Sequence, residues 1–208
     1  MGYVITIAQQ KGGSGKTTLA VNLAVWFASQ NKTVALLDTD PQGSLGRWFL
    51  TRRDRIGDPG MDLSTASAWG VSYECEKLRK THDIVIIDTP PKADADLRPA
   101  LREADLVLIP VAASHLDLWA TDGVLDLVAR ESRQALVVLN RAKAGTRLAA
   151  EMAVSIAKIA TLAEARLGQR VVFAETLGHG QAATEAGKSA AKAEVAALGA
   201  EVMAALQA

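Results

Sequence analysis

The sequence predicts an α/β protein, a parallel, doubly wound sheet with helices on both faces, with residues 1–208 forming a single domain. Three observations predict it. Short Val- and Ile-rich runs recur, each followed by a longer stretch with apolar residues at helical spacing, the pattern of successive βα units whose strands are buried on both faces. A glycine-rich loop joins the first run to the first helical stretch. The composition, 208 residues with 49% hydrophobic and 22% charged, suits one compact domain and excludes a disordered or fibrous chain.

Residues 3–8 form the first strand, and the loop after them leads into a helix over 16–30 that carries Leu19, Leu23 and Phe27. A second strand over 33–38 precedes a helix over 43–55, which stops at the turn Gly57-Asp58-Pro59-Gly60. A helix over 71–80 leads to the strand 83–88, built on four consecutive aliphatics. Helix 97–103, strand 105–111, helix 116–130 and strand 135–140 continue the alternation. The alanine-rich stretches 147–167 and 189–206 read as helices, separated by a strand over 170–174 and a loop at Gly178-His179-Gly180.

No run approaches the roughly 18–20 apolar residues that cross a bilayer, and the first residues lack a basic region and a cleavage site. The expectation is a cytoplasmic protein. Met1-Gly2 followed by Thr6 matches the myristoylation expression, but residues 3–8 serve as a core strand and cannot also be a mobile lipidated terminus. The lone cysteine, Cys75, forms no intramolecular disulfide and supplies no thiolate metal site alone; it reads as a buried, neutral thiol. With 23 basic and 23 acidic residues the net charge is zero, which excludes a generally basic nucleic-acid coat and leaves local patches to be sought.

The loop Gln10-Lys11-Gly12-Gly13-Ser14-Gly15-Lys16-Thr17-Thr18 is a Walker A sequence in its strand-loop-helix setting. Its glycines let backbone N–H groups wrap phosphates at a helix start, Lys16 neutralises β and γ oxygens, and the Thr17 hydroxyl ligates Mg²⁺. The fold is thus of the P-loop NTPase kind, with ATP and Mg²⁺ as cofactors. Asp88 ends a buried strand at the edge where this loop opens, and so is placed to hold Mg²⁺ through water. Asp38 and Asp40 end the second strand at the same edge. Each aspartate taken alone could equally cap the next helix.

Lys11 adds a second lysine at the start of the loop. With it, the sequence resembles the deviant Walker A ATPases of the ParA/MinD superfamily. The stretch Leu36-Leu37-Asp38-Thr39-Asp40-Pro41-Gln42-Gly43-Ser44 resembles the family's switch, and Ile84-Val85-Ile86-Ile87-Asp88-Thr89-Pro90-Pro91 its Walker B strand. Residues 105–111 with Asp117 resemble the strand and loop that follow. The likeness covers most of residues 1–140 and fades beyond. It implies an ATPase with slow intrinsic turnover: Asp40 orients the attacking water, Asp38 supports the metal shell, and Lys11 reaches the nucleotide of the other subunit in an ATP-dependent homodimer. Asn140, followed by Arg141, stands where the family contacts adenine, although asparagine at a strand end is also a common turn residue.

A single cysteine excludes the nitrogenase iron protein, and two tyrosines, Tyr3 and Tyr73, exclude a kinase with a tyrosine-rich tail. The first strand begins at residue 3, so the resemblance is to small ParA-type proteins lacking an N-terminal helix-turn-helix domain. Their action is to position or segregate DNA or another large cargo, such as a plasmid, chromosome, chemoreceptor cluster or carboxysome, by ATP-gated non-specific binding to nucleoid DNA. A ParB-like or cargo-adaptor partner stimulates hydrolysis. Residues 133–170 carry seven basic side chains against two acidic ones, an excess of five, and Arg147, Arg166 and Arg170 are the candidate contacts to duplex phosphates. A solvated helix face is the bland alternative. Two further readings are a MinD-like membrane-recruited ATPase and a metabolic enzyme such as a dethiobiotin-synthetase-like ligase. The alanine-rich tail, with Val195, Leu198, Val202 and Leu206 at helical spacing, suits packing on the sheet better than a membrane. The metabolic enzyme has no stated need for Lys11 or Asp40-Pro41-Gln42.

Overall fold

A computed structural model of the chain describes residues 1–91 and 94–208 and, within 94–96, the backbone alone. Six strands, β1 (Tyr3–Ile7), β2 (Val34–Asp38), β3 (Asp62–Thr65), β4 (Ile84–Asp88), β5 (Leu106–Ala112) and β6 (Ala135–Asn140), form one sheet in the order β3-β2-β4-β1-β5-β6. Every neighbouring pair is parallel. Side chains alternate between faces along each strand. Ile84 and Ile86 join one core, whereas Val85 and Ile87 join the other, which is why this strand reads as an unbroken apolar run.

On the first face lie α1 (Lys16–Ser29), α2 (Ser44–Ile56), α7 (Val171–Gly178) and α8 (Ala190–Gln207), which contribute Leu19, Phe27, Trp48, Phe173 and Leu198 to one core. The opposite face is covered by α3 (Val71–Leu78), α4 (Asp94–Glu103), α5 (His115–Arg130) and α6 (Arg147–Ala157). Cys75 is buried there, and desolvation pushes its thiol up to about 12, leaving it neutral. Because α1 and α4 leave the sheet to opposite sides, a crevice opens beyond the carboxyl ends of β1 and β4.

The last helix, α8, places Val195, Leu198 and Val202 in the core beside α1, each worth on the order of 1.5–3 kcal/mol of burial. Its apolar positions are spent on the domain itself. Gly199, mid-helix, gives way to the ring of Trp26, which a side chain there would overlap. No helix among the described residues is long and apolar enough to cross a membrane.

Two expectations from the sequence are corrected. The helix over 147–167 ends at Ala157, and residues 162–168 run extended beside β6, with Ala163 N donating to Val137 O (2.8 Å) and Leu167 N to Leu139 O (2.9 Å). Residues 170–174 are therefore no strand. The place beside β6 is already taken, and Val171–Gly178 coils into α7 so that Phe173 can reach the core against α1. One strand, β3, escaped the sequence reading because Asp62–Thr65 is short, polar and only half-buried at the sheet edge.

Candidate functional site

Between β1 and α1 the loop turns through Gly13 (φ 75°) and Gly15 (φ 95°), backbone shapes that glycine adopts without strain. A side chain at Gly15 would also strike the Asn140 amide. Asn140 Nδ2 donates to Ser14 O at 2.8 Å, and its Oδ1 accepts from Arg141 N at 2.9 Å. The buried asparagine thus braces the P-loop from beneath, a role beyond the adenine contact that the resemblance implied. The Ser14 hydroxyl is buried with no partner among the described residues.

Lys16 is 7% exposed and donates to Gln9 O at 3.1 Å. Burial holds its ammonium below the usual lysine range, and the carboxylates of Asp88 and Asp40 oppose that shift. Thr17 Oγ1 donates to Asp88 Oδ2 at 2.6 Å, while Asp88 Oδ1 is buried without a partner among the described residues. Burial pushes Asp88 up to about 7, with the nearby Asp38 charge adding to the effect and the Thr17 bond and Lys16 opposing it. A buried carboxylate oxygen free to ligate, beside a hydroxyl, is the donor chemistry of a hard cation site, and Mg²⁺ fits it. Thr17 and Asp88 would hold the ion, with phosphate and water oxygens supplying the remaining ligands.

Thr39 ties the end of β2 to β4 through two bonds to Asp88 O, from its N at 3.0 Å and its Oγ1 at 2.9 Å. Asp38 accepts from Asp40 N (3.1 Å) and Gly46 N (2.9 Å), so it caps the start of α2 while its charge presses on Asp88. Burial raises its own carboxyl. Asp40, half-buried, accepts from Gln42 N at 2.9 Å and stands close enough to Lys16 to influence its charge.

Lys11 lies on the rim. Its ammonium meets Asp117 Oδ2, on α5, at 2.7 Å, and Asp117 also takes a short bond from Ser114 Oγ. In this state the loop's first lysine is held by its own subunit. Beside Thr18 and Asn140 a cavity of about 360 Å³ continues under Arg141, Gln169 and Phe173, sized for a nucleobase. Gln169 and Phe173 gave no sequence signal, since nothing local marks residues that approach the P-loop through the turn into α7. Arg147, Arg166 and Arg170 converge on an adjoining cleft that shares Gly168, Gln169 and Arg170 with this cavity, and there Arg170 is paired with Glu194 at 2.6 Å.

A phosphate loop at a helix start, a hydroxyl–carboxylate pair beside it and a base-sized cavity, on a parallel doubly wound sheet, define a P-loop nucleotide-binding protein. The chain matches the CobQ/CobB/MinD/ParA nucleotide binding domain over residues 5–182 and belongs to that family. It is 29% identical over 163 residues to Maintenance of carboxysome distribution protein A of Halothiobacillus neapolitanus, covering 76% of this chain and 74% of that protein. It is 34% identical over 151 residues to the chromosome-partitioning ATPase Soj of Thermus thermophilus, covering 60% of this chain and 59% of that protein. The fold matches a plasmid partition protein of Borrelia burgdorferi bound to AMPPNP with a TM-score of 0.81 at 20% identity, covering 98% of this chain and 100% of the other.

Proposed function

We propose that this protein is a Mg²⁺-dependent ATPase acting as a positioning switch. ATP closes a homodimer, the dimer holds double-stranded DNA of the nucleoid without reading its sequence, and a ParB-like or cargo-adaptor partner stimulates hydrolysis and release. The single observation that carries this reading is the gathering of Lys11, Lys16, Asp40 and the Thr17–Asp88 pair on one sheet edge. Lys16 meets phosphate within the subunit, and the bound Mg²⁺ neutralises phosphate charge. Asp40 accepts a proton from, or orients, the attacking water. Lys11 leaves Asp117 for the γ-phosphate of a second copy and adds positive charge where it develops. Leu116 and Trp119, each 65% exposed on α5 beside Asp117, offer apolar surface to that copy at the same rim.

Relatives named for chromosome partitioning and carboxysome distribution support the reading, as does the family match over residues 5–182, which spans the motifs. The location it implies is the cytoplasm, on the nucleoid. Light scattering with a non-hydrolysable ATP analogue tests it: the wild type doubles its mass with the analogue and stays monomeric with ADP, whereas Lys11→Ala stays monomeric in both. A dimer indifferent to nucleotide overturns it.

A further inference from the structure

The end of β6 and the start of α6 face residues 166–170 and α8 across a cleft of about 740 Å³. Four cations, Lys143, Arg147, Arg166 and Arg170, line it, and one carboxylate, Glu194, lies among them. The lining charge is therefore +3. Arg147 pairs with Glu151 at 2.6 Å, but those side chains are 92% and 47% exposed, so the pair is easily exchanged. Among the described residues Lys143 and Arg166 form no ion pair.

Glu194 behaves differently. Its carboxylate takes Nε (3.1 Å) and Nη2 (2.6 Å) of Arg170 and the Gly168 N–H (3.0 Å). A side chain at Gly168 would stand 3.0 Å from Arg170 Nε and 3.2 Å from Glu194 Oε1, so the pair rests directly on the glycine. An oxyanion gripped by a guanidinium fork and a backbone N–H has the donor set of a bound phosphate.

We propose that this cleft binds phosphate oxyanions and that Glu194 is their built-in competitor, occupying Arg170 and the Gly168 N–H until an incoming phosphate displaces it. The inference rests on the reading of these arginines as facing DNA, and it adds the residue that sets how tightly they bind. The carboxylate stays ionised and competent to compete: burial works against its charge, but the bonds from Arg170 and Gly168 prevail and hold it below the usual range. Duplex backbone and free polyphosphate share the chemistry.

The test uses the full chain with excess ADP, so that the P-loop is filled and ATP-driven pairing is not required. Fluorescence anisotropy with a labelled random-sequence duplex, and competition by inorganic polyphosphate, are read across a salt series for wild type, Glu194→Gln and Arg166→Ala. Glu194→Gln, which keeps an acceptor but removes the charge, should tighten binding roughly tenfold and steepen the salt slope by about one. Arg166→Ala should weaken binding and flatten the slope by about one. Tightening for the duplex alone assigns the cleft to nucleic acid; tightening for both polyanions makes it a general phosphate site. Unchanged or weaker binding by a Glu194→Gln protein that melts like the wild type overturns the proposal. If that variant melts early, Arg166→Ala decides: unchanged binding overturns it as well. A wild type that retains no DNA with ATP, while Glu194→Gln still tightens on polyphosphate, sinks the nucleoid reading and leaves this one standing.

Discussion

The two ends of the nucleotide crevice are built on opposite principles. At the phosphate end, charge is buried ahead of any ligand: among the described residues Asp88 Oδ1 and Ser14 Oγ have no partner and Lys16 has only a backbone carbonyl, and burial shifts both Asp88 and Lys16 toward neutrality. At the base end and behind it, polar groups satisfy one another. Asn140 holds Ser14 and Arg141, and Glu194 holds Arg170; away from the crevice, by the last turn of α1, the buried Arg52 is likewise forked onto Glu185 at 2.8 Å, donates to Pro59 O and Gly180 O, and packs against Trp48. The first end is costly until it is filled, whereas the second is stable empty. Function and stability should therefore separate along the crevice.

The sharpest break is at the phosphate end. Lys16→Ala should lower ATP affinity by about two orders of magnitude with little change in melting temperature, measured by equilibrium binding of a fluorescent ATP analogue. Asp40→Ala should instead keep its affinity, lose hydrolysis by about 100-fold or more and remain dimeric with ATP. Hydrolysis at the wild-type rate would remove Asp40 from the mechanism.

Asp88→Asn should abolish the stabilisation that Mg²⁺-ATP confers, and yet raise the melting temperature of the nucleotide-free protein at pH 8. The sign follows from the carboxyl. Its folded value of about 7 lies above the ordinary 3.8, so ionising it in the fold costs stability increasingly from about pH 4 to pH 7 and by a constant amount above. Melting scans at pH 5 and pH 8 should show the variant gaining over wild type by more at the higher pH. A nucleotide-free variant that melts lower at pH 8 would contradict the claim that this end is strained when empty.

Away from the crevice, beside the end of α1, Glu185→Ala strands the Arg52 guanidinium. The loss should be roughly 2 kcal/mol, about 4–8 °C in melting temperature, with ATP affinity nearly unchanged. Smallest is Asn140→Ala, which frees Ser14 O and leaves a void under Gly15. Stability should fall by about 1 kcal/mol and ATP affinity a few-fold, because the loop loses its brace rather than a phosphate contact. Isothermal calorimetry and thermal denaturation, run on the same samples, separate the two effects.

What could be read from residues in order is concentrated in the phosphate end. Gly13, Gly15, Lys16 and Thr17 lie within five positions, and their roles follow from backbone geometry and a helix start, which local sequence controls. Asp38 and Asp88 were legible because each closes an apolar run that reads as a central strand, and Asp40 because it follows two residues after the first of them in the stretch that carries the family resemblance. That Asp38 caps α2 through Oδ2 while its Oδ1 takes Asp40 N was not, since a cap depends on how the following loop turns.

The stretch 147–174 marks the opposite limit. Alanine favours helix and paired valines favour strand, so local preference extended α6 too far and placed a strand at 170–174. Packing reversed both, because one place remained beside β6 and residues 162–168 took it, leaving Val171–Gly178 to cover α1. The partners of Lys11, Arg52 and Arg170 likewise lie 106, 133 and 24 positions away in the chain. Contacts of that span carry no local pattern. Chain chemistry alone settled the five longer strands, the phosphate loop and the aspartates after β2 and β4, for their conformations are set within a few residues; competition for the sheet edge and the pairing of distant charges settled the rest, since each depends on what else has already been buried.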